Sequence, residues 1–227
     1  MQKLKQYYRS TYPGENVVTT LSLTNQEWAP ETEFIPNSVF NTFTTTQALA
    51  IGNGESRNGF DLRHIASHKA GFGGANRLQT YGCNNLYKNF TPDFLVAVGS
   101  EVVDELAETS YVDSNIVYVN SQHIQSHPGK FYLIPQNVPY DAGSLAVYMA
   151  CFDGHKKIYM LGYDSHEDNV YGTFWTKSMM IVMSTYSDVE FIRVMPTASW
   201  AIPAGFSGLI NFRQIGFRDF VLEADIG

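Results

Sequence analysis

The chain has 227 residues, 44% hydrophobic and 14% aromatic, which is enough to bury one sizeable core. Its net charge of −7, with 15 Lys and Arg that form no cluster, excludes a nucleic-acid binder working by phosphate neutralisation. The longest apolar run, LAVYMACF at 145–152, falls far short of the roughly 20 residues needed to span a bilayer.

Residues 1–46 are rich in Thr and Asn and show no helical period, as in STYPGENVVTTLSLTNQ and NTFTTT. They predict an extended N-terminal arm with one or two short strands. From residue 47 the pattern changes. QALAIG (47–52) predicts a buried strand, RLQTYGCN (77–84) a second and PDFLVAV (92–98) a third. SEVVDELAETS (100–110) carries Val102, Val103 and Leu106 at helical spacing, with acids on the other face. SNIVYVN (114–120) and KFYLIP (130–135) predict two further strands. DAGSLAVYMACFDG (141–154) predicts an apolar helix stopped by Gly154, followed at once by a strand over KKIYMLGYD (156–164). TFWTKSMMIVMSTYS (173–187) reads as a helix, DVEFIRVMP (188–196) as the last strand, and 197–227 as a tail packing on the domain or a neighbour.

Strands alternating with helices predict a single α/β domain over 47–196, with a mostly parallel sheet covered on both faces. Cys83 and Cys151 have 67 residues between them and form no CxxC pair, so two buried thiols in a reducing compartment are expected. The opening MQKLKQYYRSTYPG contains no apolar stretch of the secretory kind, which predicts a cytoplasmic protein, or a virion component if the chain is phage-encoded. Only 16% of residues are charged, which suits a homo-oligomer or a larger assembly.

Ligands of such sheets bind where the strands end. Gly52-Asn53-Gly54 follows the first strand of the domain, Gly82-Cys83-Asn84-Asn85 ends the second and Gly162-Tyr163-Asp164 ends the sixth. Glycines there allow positive φ and bring backbone N–H groups close to a phosphate or nucleotide. The next glycine is Gly59, so the spacing misses the dinucleotide fingerprint G-x-G-x-x-G and NAD is discounted. The pairs His64/His68 and His123/His127 have i, i+4 spacing but lack a zinc motif, and are read as loop or surface histidines with no metal. GYDSHEDN (162–169) sets Asp164 and His166 beside further carboxylates, a combination suited to a general base or a divalent cation.

Three stretches together resemble a known group. AIGNGES (50–56) resembles the AGNGPS opening of bacterial sialyltransferases, YGCNNLY (81–87) their RCNQFY, and AGSLAVYMACFDGHKKIYMLGYD (142–164) their SG…A…GYKEIYLSGID. Motility-associated glycosyltransferases and archaeal 6-hydroxymethylpterin diphosphokinases share that opening and the strand ending in Gly-x-Asp. The resemblance implies a Rossmann-like glycosyltransferase domain whose substrates are a CMP-type nucleotide sugar and a glycan or protein acceptor, with no certain cofactor. By position it implies that Gly52, Asn53, Gly54 and Ser56 contact the donor phosphate and Asn84 the ribose or base side. Gly143 lies near the base or sugar in this scheme, and Tyr163 and Asp164 near the transferred group. The chain departs from the family at Glu55, where the family has Pro, at Gly99 in place of an Asn, and at Ala142 in place of a Ser. The lid that carries the family's catalytic His is shortened, which makes His166 the candidate base and Asp164 the alternative. Two other readings stay open: a non-catalytic structural or interaction module on this fold, as in a phage particle, and a magnesium-dependent pterin diphosphokinase.

Overall fold

The computed structural model describes residues 2–9, 15–24, 27–36, 47–66, 78–164 and 170–226, the first three stretches as backbone. They build one sheet of eleven strands. In chain order these are β1 (Gln2–Arg9), β2 (Glu15–Thr24), β3 (Glu27–Pro36), β4 (Gln47–Ile51), β5 (Gln79–Cys83), β6 (Phe94–Val96), β7 (Ile116–Val119), β8 (Tyr132–Leu133), β9 (Lys157–Leu161), β10 (Glu190–Met195) and β11 (Phe212–Gly216). Their order across the sheet is β11-β10-β9-β4-β5-β6-β7-β8-β1-β2-β3. Every pairing from β11 to β1 is parallel, and β1–β2 and β2–β3 are antiparallel.

Alternation along the central strands assigns side chains to two cores, because successive residues of a strand point to opposite faces. Ala48, Ala50, Tyr81, Phe94, Ile158 and Met160 face one way and bury the Ala142–Phe152 helix together with Met179 and Met183. Leu49, Ile51, Leu95, Val117, Tyr159 and Ile192 face the other, beneath Val103, Leu106 and Phe220. Both faces are therefore apolar, which is why the strands read as continuous hydrophobic runs. Leu49 is fully enclosed, so truncating it to Ala costs about 2–5 kcal/mol.

The chain moves outward from β4 through β5, β6 and β7 to β8. The Ala142–Phe152 helix then carries it back across the sheet to β9, on the opposite side of β4. The order reverses between β4 and β9, and that switch point is where an open α/β sheet leaves a crevice at its carboxyl edge.

The mostly parallel α/β sheet is as the sequence predicts, and three readings are corrected. Residues 1–46, read as an arm with one or two short strands, supply three strands of 8, 10 and 10 residues that extend the sheet beyond β8 through the pairing Lys5↔Tyr132. The strand at 188–196 is not the last: within the supposed tail, β11 pairs in parallel with β10, and the helix Phe217–Glu223 buries Phe220 under the sheet. The side chains of β11 run from half-buried to buried, the pattern of an edge strand with little apolar signal. His123, read as a loop or surface residue, is buried on a short helix, Ser121–Ser126, and its Nε2 lies 3.2 Å from Val98 O. His64 sits on the helix Arg63–Ala66, and His68 lies outside the described residues.

Candidate functional site

At the carboxyl ends of β4, β5 and β9 a cleft of about 320 Å³ opens at the switch point. Gly52, Asn53, Gly54, Asn84, Gly143, Tyr163 and Asp164 all line it, beside Cys83, Asp141, Ala142, Gly162 and Trp175. These residues come from five stretches of chain separated by up to 123 positions in sequence (Gly52 to Trp175), the last on the helix Val170–Thr185. Two of the sequence-predicted residues stand apart: Ser56 is buried and absent from the lining, and His166 lies outside the described residues.

The glycine loop is built against the loop that follows β9. Gly52 N donates to Leu161 O at 2.8 Å and Gly54 N to Gly162 O at 2.9 Å. A Cβ on Gly52 would stand 2.4 Å from Gly162 O, and one on Gly54 would stand 2.6 Å from both Gly162 O and Asp164 Cγ. Both glycines are therefore required by loop-to-loop contact. Gly54 has φ −64°, so the expectation of a positive φ there is corrected; Gly162, at φ +76°, is the residue that takes that conformation. The amides of Gly52 and Gly54 are engaged by carbonyls of the neighbouring loop instead of facing the cleft for an anion.

Asp164 is fixed by the same contact. Its Oδ2 accepts from Ser56 N at 2.9 Å, while Oδ1 is enclosed and makes no hydrogen bond. Ser56 thus acts through its main-chain N–H, and its Oγ is likewise enclosed and unbonded. The carboxylate caps one amide, that of Ser56, in the first turn of the short 3₁₀ segment Glu55–Gly59, from 108 residues away.

Asn53 donates through Nδ2 to Cys83 O at 3.0 Å, tying the glycine loop to the end of β5. Asn84 adopts φ +44°, a conformation Asn tolerates better than most residues, and its Oδ1 accepts from Val98 N at 3.3 Å. Burial pushes the Cys83 thiol up to about 12, so it lines the cleft as a neutral group.

The far wall is the start of the Ala142–Phe152 helix. Asp141 caps it, with Oδ1 accepting from Ser144 N at 3.0 Å and Oδ2 from Ser144 Oγ at 2.6 Å. The Tyr163 hydroxyl donates to Gly143 O at 2.9 Å, and burial holds that phenol well above its ordinary range. The amides of Ala142 and Gly143, in the first turn, have no partner inside the helix, and both residues line the cleft. Sequence reading missed Asp141 as a site residue. Its signal was present, since Asp followed three residues on by Ser144, just before an apolar run, is a helix start.

The electrostatics are distinctive. Asp141 and Asp164 are the charged groups among the described lining residues. Two guanidinium groups lie against the backbone of the cleft: Arg193 donates from Nε to Tyr163 O at 2.7 Å, and Arg57 has its Cδ close to the Gly162 turn and a charge felt by Cys83. Burial lowers the pKa of Arg57. The two carboxylates are thus set against the positive end of a helix and guanidinium groups behind the cleft wall.

The chain matches no family model, and no curated protein aligns with it significantly. Among solved structures it is similar to the sialyltransferase CstII from Campylobacter jejuni in complex with a substrate analogue, CMP-3FNeuAc. The identity is 14%, the TM-score is 0.47, and the alignment covers 74% of this chain and 85% of that one. Among the described residues, no helix is long and apolar enough to cross a membrane.

Proposed function

We propose that this chain is a glycosyltransferase-like protein that holds a nucleotide-activated sugar of the CMP type in the switch-point cleft. The observation that carries the reading is convergence. The stretches whose sequence resembles the sialyltransferase group, Gly52–Gly54, Cys83–Asn84, Ala142–Gly143 and Gly162–Asp164, line one cavity at the reversal of strand order. Its volume lies at the small end of the range for small-molecule sites.

In this reading the amides of Ala142 and Gly143 and the helix dipole meet the phosphate, with Arg57 as the supporting charge behind the floor. Asn84 faces the nucleoside side. In transfer, an acceptor hydroxyl oxygen bonds to the anomeric carbon, the bond from that carbon to the phosphate oxygen breaks, and the nucleoside monophosphate leaves. The acceptor proton passes to His166 or, failing that, to Asp164. The Ser56 N–H contact holds Asp164 in place through Oδ2, and the enclosed Oδ1 makes no hydrogen bond.

A second reading, a non-catalytic module on the same fold, is favoured by one observation. The amides of Gly52 and Gly54 are already bonded, and two carboxylates line the cleft. Thermal unfolding against CMP, UDP and GDP separates the two. A nucleotide at 100 times its dissociation constant adds about 2.7 kcal/mol of stability. A response confined to CMP is the result expected of the transferase reading. A flat response to all three refutes nucleotide binding and leaves the module.

A further inference from the structure

The segment Pro196–Gly208 leaves the carboxyl end of β10, on the same sheet edge as the cleft, and contains no charged residue. It exposes two large apolar side chains, Trp200 at 45% and Ile202 at 42%. A singly exposed apolar residue is ordinary. What sets this one apart is how firmly its loop is held between β10 and the short 3₁₀ turn Phe206–Gly208.

Arg193, only 1% exposed, donates from Nη1 to Ala201 O at 2.7 Å and to Gln214 Oε1 at 2.8 Å. Gln214 in turn donates from Nε2 to Ala198 O at 3.0 Å and to Trp200 O at 2.7 Å. Three carbonyls within four residues are thus captured by two side chains, and hydrogen bonds from a charged group are the stronger kind. The same guanidinium donates from Nε to Tyr163 O at 2.7 Å. One buried side chain therefore joins the backbone of a cleft residue to the backbone beside Trp200. A second link runs through aromatic rings: Trp175, on the cleft wall, lies 5.7 Å from Phe206, which anchors the end of the loop.

We propose that Trp200 is the platform for the acceptor saccharide, a neutral hexose ring laid against the indole beside the donor cleft. The proposal rests on the transferase reading above. A pyranose has one face of C–H groups, which suits an aromatic surface, and hydroxyls around its rim. The uncharged loop and its backbone match that chemistry and offer nothing to a charged partner. An indole spends little conformational entropy on binding, and a rigid loop spends less still. Arg193 and Gln214 are positioning residues, acting through the loop they hold.

The test uses the full chain and follows binding by titration calorimetry, with tryptophan fluorescence of the parent alongside, on titration with methyl hexosides of the gluco, galacto and manno series, with CMP present and absent. The parent is expected to bind at least one hexoside with a change in emission. Trp200→Ala is expected to weaken that hexoside at least ten-fold and to leave CMP affinity within two-fold, and Trp200→Phe to recover part of the loss. Gln214→Ala, which frees the Trp200 carbonyl, is expected to weaken the hexoside several-fold and to raise acrylamide quenching of the indole. A parent that binds none of the three hexosides up to tens of millimolar overturns the proposal. So does a Trp200→Ala variant that binds the hexoside as the parent does. An oligomer that falls to monomers on Trp200→Ala in light scattering overturns it in favour of a second copy as the occupant. A parent that binds a hexoside through Trp200 but not CMP supports the platform and refutes the CMP donor reading.

Discussion

Gly54→Ala is the most informative single change, because its effect follows from steric contact with no contribution from backbone strain. At φ −64° and ψ 150° any residue is comfortable. The new methyl, however, would stand 2.6 Å from Gly162 O, 2.6 Å from Asp164 Cγ and 2.7 Å from Asp164 Oδ2. Non-bonded carbon contacts settle near 3.5 Å, so the two loops must part by roughly 0.8 Å. That stretches the 2.9 Å bond from Gly54 N to Gly162 O beyond useful length and pulls Asp164 from Ser56 N. Losing one neutral hydrogen bond at about 1 kcal/mol and one charge-assisted bond at about 1.5–3 kcal/mol predicts a destabilisation of about 2.5–4 kcal/mol. In urea, with a slope of about 2 kcal/mol per molar, the midpoint falls by about 1–2 M with the slope unchanged. Gly208→Ala is the control, since nothing lies within 4 Å of its added methyl. Adding Asp164→Ala removes one of the two obstacles, so the double variant is expected to lose less than the sum of the single ones. A loss below about 0.5 kcal/mol for Gly54→Ala, the size of an ordinary surface substitution, would refute the loop-to-loop account.

Two further outcomes are expected. Glu223 accepts from both terminal nitrogens of Arg213 and from Lys157 and Tyr159, and the Arg213 hydrogen bonds hold its carboxyl down at about 2. A depressed carboxyl contributes stability above its unfolded value, near 4.3, and loses it as the pH falls through about 2. The group faces solvent, so its share is discounted to about 1 kcal/mol. Glu223→Gln should therefore lower the unfolding temperature at pH 7 and flatten the acid limb between about pH 5 and 2; a limb as steep as the parent's would count against this pairing. Cys83 and Cys151 are both buried, with their thiols pushed above the ordinary range, Cys83 to about 12. Neither should react with a disulfide reagent at pH 8 until the chain unfolds, and prompt labelling of the native protein would show that burial is incomplete.

The elements between 47 and 196 were legible because their physics is local. An apolar run of four to six residues between turn residues makes a strand buried on both faces, and the runs at 48–51, 94–98, 116–119 and 158–161 are of that kind. The helix after Asp141 was legible for the same reason. The glycine motif was legible as a place of close approach, but the approaching group was not. That group is the carbonyl of Gly162 and the carboxylate of Asp164, more than a hundred residues on, and separation in sequence carries no record of such a contact. The half-buried side chains of β11 gave too weak a period to mark a strand. Its place in the sheet comes from pairing with β10, and three strands from 1–46 join through a two-residue β8. The sequence alone determined the central strands and the long apolar helix between 47 and 196, and that several loops end on one edge, since propensity and apolar pattern are properties of neighbours along the chain. Only the tertiary structure decided that the order reverses between β4 and β9, that Asp141 and Asp164 face one cleft, and that Arg193 joins Tyr163 to the Trp200 loop, because long-range hydrogen bonds and packing select those contacts after the elements exist.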